Sequence, residues 1–363
     1  MLKFSWSLLA FLALGGVAFA QNAKDKDGPT YTSPDQADED FAYAGEFLGW
    51  QRLQGTGRDS QRIGVQVVPQ GNGKFTAVKY LGGLPGDGWM GGQRFLLEGE
   101  RSGDAVLLKG AVTSLVVTPE EARVVDDLGE KLGNLKRIHR ASPTMGAKPP
   151  AGAVVLFDGA GVDHFKNGKI TEKGWLAAGT ETKDAWNNFR LHGEFLLPYK
   201  PLARGQSRGN SGFYLQGRYE LQVLDSFGLE GVENECGAMY KLIRPAVNMC
   251  LPPLEWQTYD IDFQAPKFDD SGKKVAPMTI SVWQNGVPIH VQRKVPSKTG
   301  AGQPEGPKAL PIKLQDHQNP VVYRNLWIID TSEPAARQID WLRLPLKAPP
   351  VPVSYSDASG NQL

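Results

Sequence analysis

The chain is poor in several things at once. Its 363 residues include only two cysteines and five histidines. No histidine lies between His192 and His290, so Cys236 and Cys250 do not make a Cys/His zinc site. Charge of one sign is missing too: 40 basic residues stand against 39 acidic ones. Nucleic acid or an anionic membrane surface as main partner would favour a basic excess. No apolar run approaches the ~20 residues that span a bilayer. No internal repeat is visible. No G-x-G-x-x-G follows a strand pattern, and the Gly-rich run GGLPGDGW (82–89) lacks the Lys-Ser/Thr of a phosphate loop. H-E-x-x-H is absent as well. In place of these there are 42 glycines and 26 prolines, which break helices and punctuate short strands and turns. This composition disfavours a helical bundle, 40% apolar residues are enough for a sizeable core, and the strand patterns described below point to an all-β protein.

Residues 1–20 read as a secretory signal peptide: Lys3, an apolar run from Leu8 to Leu14, then Ala18-Phe19-Ala20, with cleavage before Gln21. The expected location is secreted or periplasmic, with no membrane insertion. In that oxidising compartment Cys236 and Cys250 are expected to form a disulfide. It would close a 15-residue loop and stabilise by about 3 kcal/mol. Residues 21–40 are polar and acidic and read as a flexible leader. A small β domain is expected over 41–140, with Ile63, Val65 and Val67 alternating in one strand, turn residues Gln70–Gly73, and a return strand at 75–80. ASPTMGAKPPAG (141–152) reads as a linker, 153–343 as a second β domain, and 344–363 as a Pro-rich, then polar, tail.

Two hairpins in the second domain can be registered from pattern. SGFYLQ (211–216) and YELQVLD (219–225) flank Gly217. A two-residue turn mixes polar and apolar residues on one face. A three-residue loop, Gln216–Arg218, pairs Tyr214 with Glu220 and puts Phe213, Leu215, Tyr219, Leu221 and Val223 together, with Gly217 left-handed. The other face then carries Tyr214, Glu220, Gln222 and the strand-end Asp225. The second hairpin turns at Asn285-Gly286. Its register puts Ile280, Val282, Val287, Ile289 and Val291 on the core face, and Ser281, Trp283, Pro288 and His290 on the other. The last strand, 321–329, buries Val322, Leu326 and Ile328 and presents Tyr323, Asn325 and Trp327. Strands with one apolar and one aromatic-polar face suggest a two-sheet sandwich. Trp and Tyr rings stack on sugar faces while amides and carboxylates bond hydroxyls, so the expected partner is a carbohydrate substrate. The same aromatics could instead cover a second core layer or the domain interface.

The runs LFDG (156–159), NSGFYLQGRYELQVLDSFG (210–228), ECGAMYK (235–241), EWQTYDIDFQAPKFD (255–269), QNGVPIH (284–290) and LQDHQNPVVYRNLWI (314–328) resemble the 3-keto-disaccharide hydrolase domain. The resemblance covers about half the chain. It implies a concanavalin A-like jelly-roll sandwich and chemistry on sugars already oxidised at C3. The C3 ketone acidifies the C2 proton; a base removes it, the C1 substituent leaves, and water can add to the enone. Such a site needs a base, a donor or cation for the enolate oxygen, and an acid for the leaving group. The oxidation itself would fall to a separate sugar 3-dehydrogenase.

Glu220, in the family's E-x-Q pattern, is the first candidate for the base, or for a metal ligand; the bland alternative is a structural pair with Arg218 or Arg208. Glu235, beside Cys236, and His317, in the LQDHQNP turn, complete the catalytic set. Tyr214, Gln222, Asp225, Asn210, Trp283, His290, Asn325 and Trp327 are the candidate substrate contacts. Glu220, Asp225, Glu235 and His317 could also hold Ca²⁺, Mn²⁺ or Zn²⁺, and the metal is left open. Gln318 replaces the family's Gly after His317, and Gln292 stands where Asn often follows NGV-x-x-H. The rival readings are a lectin-like carbohydrate-binding module and a conventional two-carboxylate glycosidase.

Overall fold

The computed structural model describes residues 28–53 and 59–333, and the backbone of 354–356. The signal-peptide reading and most of the Pro-rich tail lie outside those residues. Among the described residues no helix is long and apolar enough to cross a membrane.

Eight antiparallel strands form the first domain: Gly45–Arg52, Ser60–Gly71, Lys74–Leu81, Arg94–Ser102, Ala105–Lys109, Ser114–Val117, Glu121–Val125 and Lys131–Ala141. Each pairs with the next, and the first closes on the last, with Phe47 opposite Arg137. The result is a closed barrel without free edges. The alternation read at Ile63, Val65 and Val67 fills its interior, with Phe47, Phe75, Leu97, Leu108, Leu115, Val124 and Leu135 from the other strands. Asn72 and Gly73 take the left-handed conformations of a hairpin turn. The backbone of 354–356 adds to the last barrel strand.

The second domain is a two-sheet sandwich, as a jelly roll requires. One sheet runs Val154–Phe157, Val322–Asp330, Phe189–Leu196, Trp256–Gln264, Met278–Gln284 and Val287–Val295. The facing sheet runs Phe165–Lys166, Thr180–Thr182, Lys313–Leu314, Asn210–Leu215 and Tyr219–Leu224. Phe195, Phe213, Tyr219, Leu221, Tyr259, Ile261, Val282 and Ile328 belong to one core between them.

Both predicted hairpins have the expected pairings. Tyr214 lies opposite Glu220 across the loop Gln216–Arg218, where Gln216 joins Gly217 at positive φ. Gln284 lies opposite Val287, with Asn285 and Gly286 left-handed. The first keeps its alternation throughout, while the second and the last strand slip. The 287–295 strand carries register shifts, and Gln292 has φ 44°; Val291 is turned out, 44% exposed, rather than into the core. Asn325, φ 46°, sits at the bulge of the last strand. That bulge puts Tyr323 inside the core against Phe213, not on the outer face as its position in the pattern implied.

Three further expectations are corrected. Cys236 and Cys250 are free thiols, both fully buried. Cys236 Sγ lies 3.3 Å from Tyr259 Oη, and Cys250 Sγ donates to the Leu224 carbonyl at 3.5 Å. Burial pushes the Cys250 thiol well above its ordinary value. The described part of the leader is docked rather than flexible: Tyr31 exchanges backbone hydrogen bonds with Tyr199, whose hydroxyl donates to Asp38 at 3.1 Å. Nor is the 141–152 segment a free linker, as the next subsection details. GGLPGDGW is an inter-domain wedge. Arg62 pins it through the Asp87 carboxylate at 2.5 Å, Trp89 meets Tyr80 edge-on at 5.1 Å, and Gly86 (φ 76°) abuts Met249 and Val287 with no room for a Cβ.

Candidate active site

The outward face of the Asn210–Leu215/Tyr219–Leu224 hairpin gathers polar side chains because Phe213, Leu215, Leu221 and Val223 take the inward positions. Glu220 is 3% exposed. Its Oε2 accepts from the Tyr214 hydroxyl at 2.7 Å. The Gln222 amide is satisfied with its nitrogen toward Glu220, donating to Oε1 at 3.2 Å and to the Ser211 carbonyl at 2.9 Å. Asn210 donates to the Gln206 carbonyl at 2.9 Å, which brings a short 3₁₀ turn, Gly205–Ser207, over the same end of the face. Burial raises the Glu220 carboxyl to about 7, against the opposing pull of Tyr214, Lys313 and Lys241. A carboxyl that titrates near neutrality is what proton transfer at ordinary pH calls for.

Gly212 lies opposite Gln222, and a Cβ there would stand 2.9 Å from Glu220 Oε1 and 3.4 Å from Gln315 Oε1. The glycine of the NSGF motif thus makes room for the carboxylate. Gly212→Ala is expected to fold but to displace Glu220, costing at least about tenfold in kcat; kinetics on the folded variant check this.

His317 follows the short Lys313–Leu314 strand, which belongs to the sheet that carries Glu220. Gln315, two residues earlier, pairs its backbone with Gly212 and donates to Tyr214 Oη at 3.4 Å. His317 itself is exposed in the following turn, which Asp316 closes by accepting from the Gln318 amide at 2.7 Å. Asp225 forms a buried ion pair with Arg208 at 2.7 Å.

The remaining candidates have partners of their own. Glu235 accepts from the Gly231 and Val232 amides and so ties its own loop. His290 donates from Nε2 to the Gly237 carbonyl at 2.7 Å, and burial lowers it to about 4, so it stays neutral. Trp283, Asn325 and Trp327 belong to the opposite sheet. Asn325 and Trp327 are spent on the 141–152 segment: both donate to the Ala147 carbonyl, at 3.0 and 3.1 Å. Glu220, Asp225, Glu235 and His317 therefore do not form one donor set, and no three His, Cys, Asp or Glu among the described residues have metal-site spacing.

Pattern reading missed the cluster beneath that segment. His192 Nδ1 meets Asp260 at 2.6 Å and Nε2 lies 3.7 Å from Glu194, all three within 1% of full burial. Burial alone would lower His192, but Asp260 and Glu194 carry it up to about 9. Burial likewise opposes ionisation of Glu194, yet His192, Asn325, Arg324 and the Gly146 amide bring it down to about 2. Thr144 donates to Asp260 at 2.6 Å and the Gly146 amide to Glu194 at 2.6 Å. The alternation Leu191-His192-Gly193-Glu194-Phe195 was the available signal: polar residues on one face of an otherwise apolar strand.

Residues 152–329 match the 3-keto-alpha-glucoside-1,2-lyase-like domain. The sandwich belongs to that family. This places the second half of the chain among carbohydrate-active domains. Two solved proteins of Parabacteroides distasonis ATCC 8503, each described as a candidate glycosyl hydrolase, are similar to it. One is 31% identical over 53% of this chain and 90% of its own, with a TM-score of 0.47. The other is 20% identical over 50% and 94%, with a TM-score of 0.37. No curated protein matches.

Proposed function

We propose that this domain cleaves 3-keto-glycosides by eliminating the C1 substituent, with Glu220 as the base. The supporting observation is a buried carboxylate, raised to about 7 and fixed by Tyr214 and Gln222 on the face of the sheet turned away from the core. The Glu220 carboxylate takes the C2 proton. The C2–H electron pair moves into the C2–C3 enolate, whose oxygen the Lys313 and Lys241 ammonium groups stabilise. The C1–O bond then breaks as C1=C2 forms, and the leaving oxygen takes a proton from His317. Water can add across the resulting enone, returning a proton to C2 and giving net hydrolysis. A two-carboxylate glycosidase fits less well: the nearest partner of Glu220 is a tyrosine, and Glu235 is held by backbone amides.

The test is incubation of the full chain with a 3-keto-disaccharide and with its unoxidised parent. Cleavage of the keto-sugar only is expected. Cleavage of the parent alone would point to an ordinary glycosidase, and binding of either without turnover to a lectin-like module. The upstream sugar 3-dehydrogenase and the export of the chain remain parts of this proposal.

A further inference from the structure

The reaction leaves the barrel without a role, yet several of its contacts with the sandwich fall on one feature. The Glu220 hairpin opens at its Asn210/Leu224 end, and the barrel holds both chain segments that leave that end. On the entering segment, Arg204 Nη2 donates to the Gln70 carbonyl at 2.8 Å, and Leu202 packs on Gly71 (φ 78°), where no Cβ fits. On the departing segment, Gly228 (φ 74°) lies against Val68, again without room for a Cβ. The Gly228 carbonyl accepts from Arg94 Nη2 at 2.7 Å.

Arg94 is itself braced. It stands opposite Tyr80 across the barrel sheet. The Tyr80 hydroxyl donates to Gln66 at 2.8 Å, Gln66 donates to Glu46 at 2.9 Å, and Glu46 is paired in the interior with Arg140, which donates to the Pro85 carbonyl at 2.6 Å. In the sandwich, the gripped segments are tied to each other and to the site. The Asp225 amide donates to the Gly209 carbonyl at 2.8 Å, Arg208 pairs with Asp225, and Gln206 meets Asn210.

We propose that the barrel is the positioning element of the Glu220 site, and that Arg94, through the Gly228 carbonyl, is its principal positioning residue. Arg94 acts on the hairpin, not on substrate. This inference rests on the reading of Glu220 as the base, but its effect on Glu220 can be measured without turnover.

The experiment compares full-length Arg94→Met, which keeps the aliphatic stem, with Arg94→Lys, which can still reach the carbonyl. Two readouts are taken: titration of Glu220 by carbon NMR of the ¹³C-glutamate-labelled protein, and kcat and KM on a 3-keto-disaccharide. Arg94→Met is expected to lower kcat about tenfold while KM moves less than about twofold. Its Glu220 titration should shift from about 7 toward the ordinary 4.5 as the face loosens, and Arg94→Lys should restore most of both. A folded Arg94→Met with wild-type kcat and an unmoved Glu220 titration overturns the proposal. Should Arg94→Met not fold, Arg204→Met, which cuts the other tether at an exposed residue, carries the same expectation. If the wild type turns over no 3-keto-sugar, the base reading fails while the titration still decides this inference.

Discussion

Glu220→Gln is expected to lower turnover of a 3-keto-disaccharide by roughly 10²–10⁴-fold, the usual share of a general base, and to stabilise the fold at alkaline pH. The sign follows from the raised carboxyl. Folded, Glu220 titrates at about 7, against 4.5 ordinarily, so the folded state holds the proton more tightly. That contribution is fully present below 4.5 and is lost as pH rises through 7. Above 7 the buried carboxylate costs on the order of 3 kcal/mol. Glutamine keeps an acceptor for the Tyr214 hydroxyl and carries no charge, so the variant should gain stability over wild type at pH 8 and match it at pH 4. Kinetics with denaturant unfolding at the two pH values check both halves. Retained activity removes Glu220 as base, and equal stability at pH 8 contradicts a raised carboxyl.

The second large effect is expected at a residue far from the hairpin. His192→Gln leaves Asp260 facing Thr144 and Glu194 facing Arg324, both interior carboxylates without their shared cation. Removing one partner of a buried ion pair costs about 3–5 kcal/mol. His192 is raised to about 9, so the wild type's advantage should be full below 6.5 and fade as pH rises through 9. On the acid side, Glu194 contributes above 4.5 and is lost only as pH falls through about 2. Because Thr144 and Gly146 dock on the same carboxylates, the variant should also be cleaved by protease within 142–147, where the wild type resists. Unfolding midpoints at pH 6 and pH 10 with a proteolysis time course measure this; equal midpoints at pH 6 would contradict it.

The legible parts of this sequence were those governed by turns. At Gly217 and Asn285-Gly286 the loop chemistry and the buried face fixed a unique register, and Tyr214, Glu220 and Gln222 fell on one face as expected. What failed were places where one residue leaves the alternation. The register shifts in the 287–295 and 322–330 strands, with Gln292 and Asn325 left-handed, carry no Gly to announce them; each changes which residues face the core, so alternation misplaces Val291 and Tyr323. The segment 141–152 misled through composition. Its Pro, Gly and Ala content reads as a linker, while its function rests on Ser142, Thr144 and two backbone groups that bond to buried partners. Cys236 and Cys250 form no bridge, because cysteine count and compartment give no geometry.

The central claim is that Glu220 removes the C2 proton of a 3-keto-sugar. Turnover of a 3-keto-disaccharide in D₂O tests it most directly, with the released sugar read by NMR and mass spectrometry. Free 3-keto-sugar in the same buffer, and Glu220→Gln, serve as controls. The prediction is loss of the C2 proton at each turnover: one deuterium at C2 of the hydrated product, or a 1,2-unsaturated sugar with no C2 hydrogen, in excess of both controls. Cleavage with the C2 proton retained would contradict it.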